Sequence, residues 1–489
     1  MPAVSDLFDP RRHEPSIRAP WSEPAARTAI ERICDAAERE FDEDEGSWLM
    51  HPQDEPPQPG ARSCNFYWGA AGVVWALRDL AAQGAVGLRR DYTRWIEQYP
   101  ERVRREAADE QHGSASYFFG EGAPLLLAWR ATRREAFAER LHGAVLGNLH
   151  NTACEPLWGN AGTLLAALHV AEASKRGDGD GAGAATRWQA LVQQGVEALH
   201  QDMVPDAETG TWLWRQDLYG RVTRYLGAGH GLAGNAYAAV RAEAVVDAPT
   251  DAARTVVQRA IETLSATALQ ARLDTPAGQV PLANWHVLVD KDRVAAWLAT
   301  GGRPLVQDCH GAPGIVCRLA GAHGAPRAPG ERTAHGAGDL RDVRDVRGAR
   351  DVHDPRDARG VHDPRAAPVS AGAAAAAGAG IRTGSAWDDL LLAAGELTWH
   401  AGPLAKGPSL CHGTAGSAMA CLKLWRRFGD PLWLERARHL AMHAAGQVEQ
   451  ARAQHGRGRQ SLWTGDLGVA CVLWNCVRGE DRFPSLDHF

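Results

Sequence analysis

The sequence predicts an all-α protein: an (α/α) toroid or barrel of seven helical hairpin repeats whose inner helices open with Gly-x-x-Gly turns. Three observations carry this reading. Seven segments join a small-residue turn directly to an apolar stretch. Within those stretches the apolar positions recur at i, i+3 and i+4, as in Leu164, Leu165 and Leu168 or Ala418, Met419, Leu422 and Trp425, which is helical spacing. Sustained period-2 alternation bounded by turn residues is absent, so no sheet beyond short ribbons is expected.

Residues 1–60 read as an N-terminal arm and the first outer helix. Residues 61–323 hold repeats one to five, with first glycines at Gly69 (GAAGVVWAL), Gly120 (GEGAPLLLAW), Gly159 (GNAGTLLAAL), Gly231 (GLAGNAYAAV) and Gly311 (GAPGIVCRLA). The second copy is imperfect, because Ala123 stands where the others have glycine. Glycines at helix starts would let several helix ends crowd one axis and leave N–H groups free for anions. Residues 324–380 run from a degenerate Asp/Arg/His repeat into an Ala/Gly tract. Such a stretch has no apolar face to bury and reads as a disordered insertion. Residues 381–489 return to the pattern, with repeats six and seven opening at Gly413 (GTAGSAMACL) and Gly465 (GDLGVACVLW). Amphipathic stretches such as 431–448 supply outer helices; there Leu434, Ala437, Leu440, Ala441, Ala444 and Val448 share a face from which Arg436, His439 and His443 are excluded.

The bulk numbers narrow the function. With 45% hydrophobic and 23% charged residues the chain can bury a large core. A net charge of −6 over 489 residues argues against a nucleic-acid footprint or a purely electrostatic hold on membranes. The N-terminus lacks a signal-peptide apolar core, and no apolar run is long enough to span a bilayer, so a cytoplasmic location is expected. Nine cysteines without regular short spacing fit reduced thiols, which are available to a metal.

Three of the turns carry a histidine: Gly229-His230-Gly231, Cys309-His310-Gly311 and Cys411-His412-Gly413. If the inner helices point at a common axis, these side chains converge at one end of the barrel. A catalytic zinc takes three protein ligands and keeps a position open, with thiolate and imidazole as suitable donors. One Cys-His pair could equally be a buried thiol beside a helix-capping histidine; two at equivalent repeat positions point to metal.

The segments WGAAGVVWAL, YLGAGHGLAGNAY, LVQDCHGAPGIV, KGPSLCHGTAGSA and the ending RFPSLDHF resemble the LanC-like family, which comprises the lanthionine cyclases of lanthipeptide biosynthesis and stand-alone LanC-like proteins. The resemblance runs from about residue 5 to the end, interrupted by the insertion. It implies one zinc held by Cys309, Cys411 and His412, with His310 not a ligand, and Michael-type addition of a thiol to dehydroalanine or dehydrobutyrine. It further implies His230 as the acid/base, and Glu155, four residues before Gly159, as an acidic residue at the same mouth that orients His230 or the substrate, or forms a salt bridge at the rim. Lys406 matches a lysine near the tripeptide in glutathione-binding relatives. The stand-alone branch, with glutathione as co-substrate and a dehydroamino-acid-containing peptide or protein as acceptor, is the closer resemblance.

Asp308 stands where many relatives have tryptophan, and Thr464 where they often have glutamate; Arg457 and Arg459 fall too irregularly for assignment. Three alternatives stay open. The chain could be a cyclase acting on a precursor peptide, a carbohydrate-active toroid using Glu155 and Asp217 as paired carboxylates, or a non-catalytic zinc- or glutathione-binding protein.

Overall fold

A computed structural model of the chain describes residues 2–15, 20–108, 110–176, 182–247, 250–322 and 385–489. The tract expected to be a disordered insertion, 324–380, lies outside the described residues.

Helix α1 (Glu23–Glu40) lies on the outside, its first turn capped by the Ser22 hydroxyl accepting from the Ala25 amide. Then come α2 (Ala70–Ala82), the short α3 (Thr93–Ile96) and α4 (Tyr99–Glu106), α5 (Gly122–Thr132), α6 (Glu135–Gly147), α7 (Asn160–Lys175) and α8 (Ala182–Asp202). Two ribbons follow, β1 (Val204–Asp206) with β2 (Thr211–Leu213) and β3 (Gln216–Leu218) with β4 (Arg221–Thr223), leading to α9 (Leu232–Val245) and α10 (Asp251–Thr267). A third ribbon, β5 (Leu269–Thr275) with β6 (Gly278–Asn284), precedes α11 (Lys291–Ala299) and α12 (Ala312–Leu319). The chain closes with α13 (Ala386–Ala401), α14 (Thr414–Phe428), α15 (Pro431–His455) and α16 (Asp466–Arg478). Among the described residues these antiparallel ribbons are the only sheets.

Helices α2, α5, α7, α9, α12, α14 and α16 each touch the next, and α16 returns to α2, so the inner ring closes. Outside it, α4 and α6 pack on α5, α8 on α7, α10 on α9, α13 on α12, α15 on α14, and α1 on α16. This is the expected seven-repeat toroid. Inner helices are apolar all round because they are enclosed all round: every residue of α9 from Leu232 to Ala239 is buried.

The glycines serve two close contacts, one within the repeat and one of the kind expected between neighbouring repeats. At six repeats the second glycine (Gly72, Gly162, Gly234, Gly314, Gly416, Gly468) lies against the carbonyl oxygen of the residue six before it, where a Cβ would collide. One close approach is therefore to the repeat's own loop, and at all six glycines a side chain of the preceding repeat (Leu462, Tyr117, Pro156, Ala228, Asp308 and Leu410 in turn) also lies within 3.4 Å of the same point. Repeat two tolerates Ala123 because Gly120 and Gly122 take the contacts with the Ser114 and Ala115 carbonyls instead.

The outer face of α15 also departs from its amphipathic pattern. Arg436 and His443 are buried rather than solvated. Arg436 lies over Trp433 and Trp399 and pairs with Glu396, while His443 bonds Glu14 of the N-terminal arm at 2.8 Å. Long polar side chains are covered here by elements far away in sequence.

At the far end of the ring the last residues fold into the barrel. The Ser485 carbonyl accepts from the Tyr117 hydroxyl, Asp487 pairs with Lys423 and Tyr237, and Phe489 packs on Phe66, Trp75, Tyr117 and His169.

Candidate metal centre

Counting back from each repeat's first glycine, seven loop residues occupy one equivalent place two positions before it: Tyr67, Phe118, Leu157, Gly229, Cys309, Cys411 and Trp463. Because the loops share one conformation, neighbours bond head to tail. The amide of Gly229 donates to the carbonyl of Cys309, Cys309 to Cys411, Cys411 to Trp463, Trp463 to Tyr67 and Tyr67 to Phe118, at 3.0 to 3.2 Å. The Ser116 hydroxyl joins the Phe118 loop to the Leu157 carbonyl. These residues form a hydrogen-bonded crown, and all seven line a cavity of about 490 Å³ that runs into the barrel. The crown explains how cysteines far apart in the chain become neighbours: their main chains are directly bonded.

The crown is chemically lopsided. Repeats four to six put Gly229, Cys309 and Cys411 at the throat and His230, His310 and His412 one position later; repeats one, two and seven put Tyr67, Phe118 and Trp463 there. Donor atoms of Cys309, Cys411 and His412 all lie within 4.8 Å of one another. The Gln307 amide donates to the Cys309 sulfur at 3.0 Å, and Tyr67 lines the cavity beside the two cysteines. Burial, together with the adjoining Cys309, pushes the Cys411 thiol well up. A thiol held there, as Cys411 is, resists ionisation unless a cation compensates it. Two sulfurs and one imidazole, with an open cavity on the remaining side, therefore suit a divalent metal.

His310 lies outside that cluster and stacks on His230, ring centroids 5.6 Å apart. Desolvation, with His230 and His412 adding, pushes its pKa down to about 3, so it stays neutral. His230 is partly exposed at the cavity wall, and its Nδ1 meets the Glu155 carboxylate at 3.0 Å. Glu155 is fully buried behind it and is not a rim carboxylate. Its other oxygen accepts from the Trp158 amide at 2.6 Å. In this it does for its loop what Asn65 and Ser116 do at the equivalent place in repeats one and two. Lys406 is exposed on the cavity rim with Arg12, the arm being held there by the Ala405 amide donating to the Arg12 carbonyl. Asp217 lies half-buried in β3, and neither it nor Glu155 lines the cavity, which removes the geometry a paired-carboxylate glycosidase needs. Thr464 and Arg459 both bond Asp54, away from the cavity.

The sequence reading missed Tyr67, Gln307 and Arg318. Aligning the seven turns position by position supplies the first two, since they stand two and four residues before a repeat glycine. Arg318 needed the three-dimensional structure.

A closed seven-repeat helical ring with a sulfur and imidazole cluster at its throat defines a class of toroidal protein with a metal-type site. A sequence profile of the lanthionine synthetase C-like protein family matches residues 60–325 and 386–488. The chain belongs to that family. LanC-like protein GCL1 of Arabidopsis thaliana is 34% identical over 98 residues, which is 19% of this chain and 22% of that relative; the match spans about a fifth of the relative's length. The solved structure of nisin cyclase has the same fold, with TM-score 0.50 and 13% identity, covering 95% of this chain and 99% of that one. No helix among the described residues is long and apolar enough to cross a membrane.

Proposed function

We propose that the protein is a zinc-dependent enzyme that adds a thiol to dehydroalanine or dehydrobutyrine residues, forming a lanthionine-type thioether. The observation that carries this is the clustering of Cys309, Cys411 and His412 at the throat of an open cavity, in a family named for lanthionine synthesis. Those three residues would hold the metal, and a bound zinc supplies a Lewis acid that lowers the pKa of an arriving thiol.

The chain's own groups do the rest. Gln307 donates a hydrogen bond to the Cys309 sulfur and so holds it in place. Glu155 accepts at Nδ1 of His230, which leaves Nε2 of this cavity-lining histidine as the proton-exchanging atom. Addition forms a carbon–sulfur bond at the β-carbon of the acceptor and places a negative charge on its carbonyl. Delivery of one proton from His230 Nε2 to the α-carbon completes the thioether, and the proton lost by the thiol restores the balance. Glu155 is a positioning residue in this scheme.

We take the thiol to be external, with glutathione the class of molecule that fits. Arg12 and Lys406 give the rim positive charge suited to a carboxylate-bearing thiol. Dehydroalanine peptides with and without an internal cysteine, supplied with glutathione, separate the two family chemistries by product mass. Glutathione adducts are expected; exclusive cyclisation makes the protein a peptide cyclase, and no product at full metal loading removes the enzymatic reading.

A further inference from the structure

Below the crown, two positions that are apolar in every other repeat carry charge. Three residues before the repeat glycine stand Phe66, Tyr117, Pro156, Ala228, Leu410 and Leu462, but in repeat five it is Asp308. Nine residues after the crown position stand Ala76, Leu127, Ala166, Ala238, Ala420 and Val472, all buried, but in repeat five it is Arg318. The two substituted residues meet: Arg318 Nη2 lies 2.7 Å from Asp308 Oδ2, at 4% and 1% side-chain exposure. Both line the cavity, beyond the sulfurs, beside Tyr237 and Leu486.

Two charges in a protein interior are costly to desolvate, and removing both in favour of apolar residues is often neutral or stabilising. Arg318 lies over the Phe483 ring at 4.5 Å, but an apolar side chain could fill that place too, as it does in the six other repeats. The pair is not complete. Arg318 Nη1 and Asp308 Oδ1 are both buried without a hydrogen-bond partner among the described residues. One is a donor and the other an acceptor, both sealed from solvent as the side chains stand, so a ligand reaches them only when the pair turns toward the cavity that the two residues line.

We propose that this pair is a subsite for an uncharged carboxamide of the acceptor, whose C=O accepts from Arg318 Nη1 while its N–H donates to Asp308 Oδ1. It rests on the reading of the cavity as the place where a dehydroamino-acid peptide reacts, because such an acceptor carries an amide on each side of its alkene. The pair is already neutral as a unit, so a ligand bearing net charge would add an uncompensated ion to an apolar chamber. An amide satisfies both orphaned atoms without doing so. An ester offers the carbonyl but no donor, and leaves Asp308 Oδ1 unpaired. The subsite thus reads peptide linkage and excludes free carboxylates.

The test uses the metal-loaded full chain and saturated probes that cannot react, with affinity read by calorimetry. The probes are N-acetylalanine N-methylamide, the two analogues in which either amide N–H is replaced by an ester oxygen, and N-acetylalaninate. One of the two esters is expected to bind roughly tenfold more weakly than the diamide, with the carboxylate weaker still. In the double variant Asp308→Leu/Arg318→Met, which removes both charges, the diamide is expected to fall to the ester's affinity, with metal content and helical signal retained. Equal affinity of both esters and the diamide for the unaltered protein overturns the proposal, as does tighter binding of the carboxylate. Thioether formation reads the other claim separately: product without amide preference sinks the subsite alone, and amide preference without product sinks the function alone.

Discussion

The two halves of the crown share one backbone geometry and differ wholly in chemistry. Around repeats four to six the equivalent loop positions carry Gly229, Cys309 and Cys411 followed by His230, His310 and His412; around repeats seven, one and two they carry Trp463, Tyr67 and Phe118 followed by Thr464, Trp68 and Phe119. Yet the same head-to-tail amide bonds run through both. The comparison teaches that the repeat specifies where a side chain is presented and leaves its chemistry free. The aromatic half has interlocking rings, with Tyr67 stacked on Trp463 and Phe118 edge-on to it at 5.1 Å. It makes a stiff wall against which the sulfur half can be held.

If that division of labour is right, changes in the sulfur half should abolish chemistry while leaving the fold, and changes in the aromatic half should do the reverse. The largest effect is expected at Cys411→Ala. Metal analysis should fall from about one zinc per chain toward none, and thioether formation should drop to the uncatalysed rate with the helical signal unchanged. Next comes His230→Ala, with adduct formation lowered about 10²- to 10⁴-fold at undiminished metal content. Glu155→Gln should give a smaller loss, on the order of tenfold or more, by disturbing the tautomer of His230; turnover unaltered by either change would remove the proton-delivery role.

On the other side, Phe118→Ala should cost about 3–5 kcal/mol of stability by opening a cavity in the ring stack, read by chemical denaturation, while zinc remains bound. Loss of zinc from that variant would show that the two halves are not separable.

The smallest effect concerns the tail packed beneath the aromatic half. Burial pushes the pKa of His169, against Phe489, down to about 4. Its unfolded value is near 6.5, so the contribution of the neutral imidazole is fully present above that value and is lost as pH falls from about 6.5 toward 4. Burial raises the Asp487 carboxyl, but Lys423 and Arg241 more than offset it and hold it well below the usual carboxylate range. Its share therefore survives until more acidic pH. Melting temperature should fall gently between pH 6.5 and 4 and more steeply below that. A flat profile down to pH 4.5, or one that His169→Phe leaves unchanged, would contradict the assignment.

Much of this was legible in the sequence because the glycine turns are covalently local signals. The seven inner helices begin where the turns place them, and the convergence of Cys309, Cys411 and His412 follows from their equivalent repeat positions. What the sequence concealed depends on contacts between distant segments. Arg436 and His443 read as solvated until Trp399 and Glu14 arrive from elsewhere to cover them. Glu155 read equally as a rim residue, because nothing local says that its loop turns inward. The Asp308–Arg318 pair was hidden for the same reason: an aspartate before a zinc-type cysteine reads as a departure until the opposite charge ten residues later is known to face it.

X-ray absorption at the zinc edge of reduced, purified protein tests the central claim most directly. Two sulfurs at about 2.3 Å, a histidine nitrogen at about 2.0–2.1 Å and one light, exchangeable donor are expected, with a third sulfur replacing that donor when glutathione is added. A shell of nitrogen and oxygen alone, or protein that takes up no metal under reducing conditions, would contradict it.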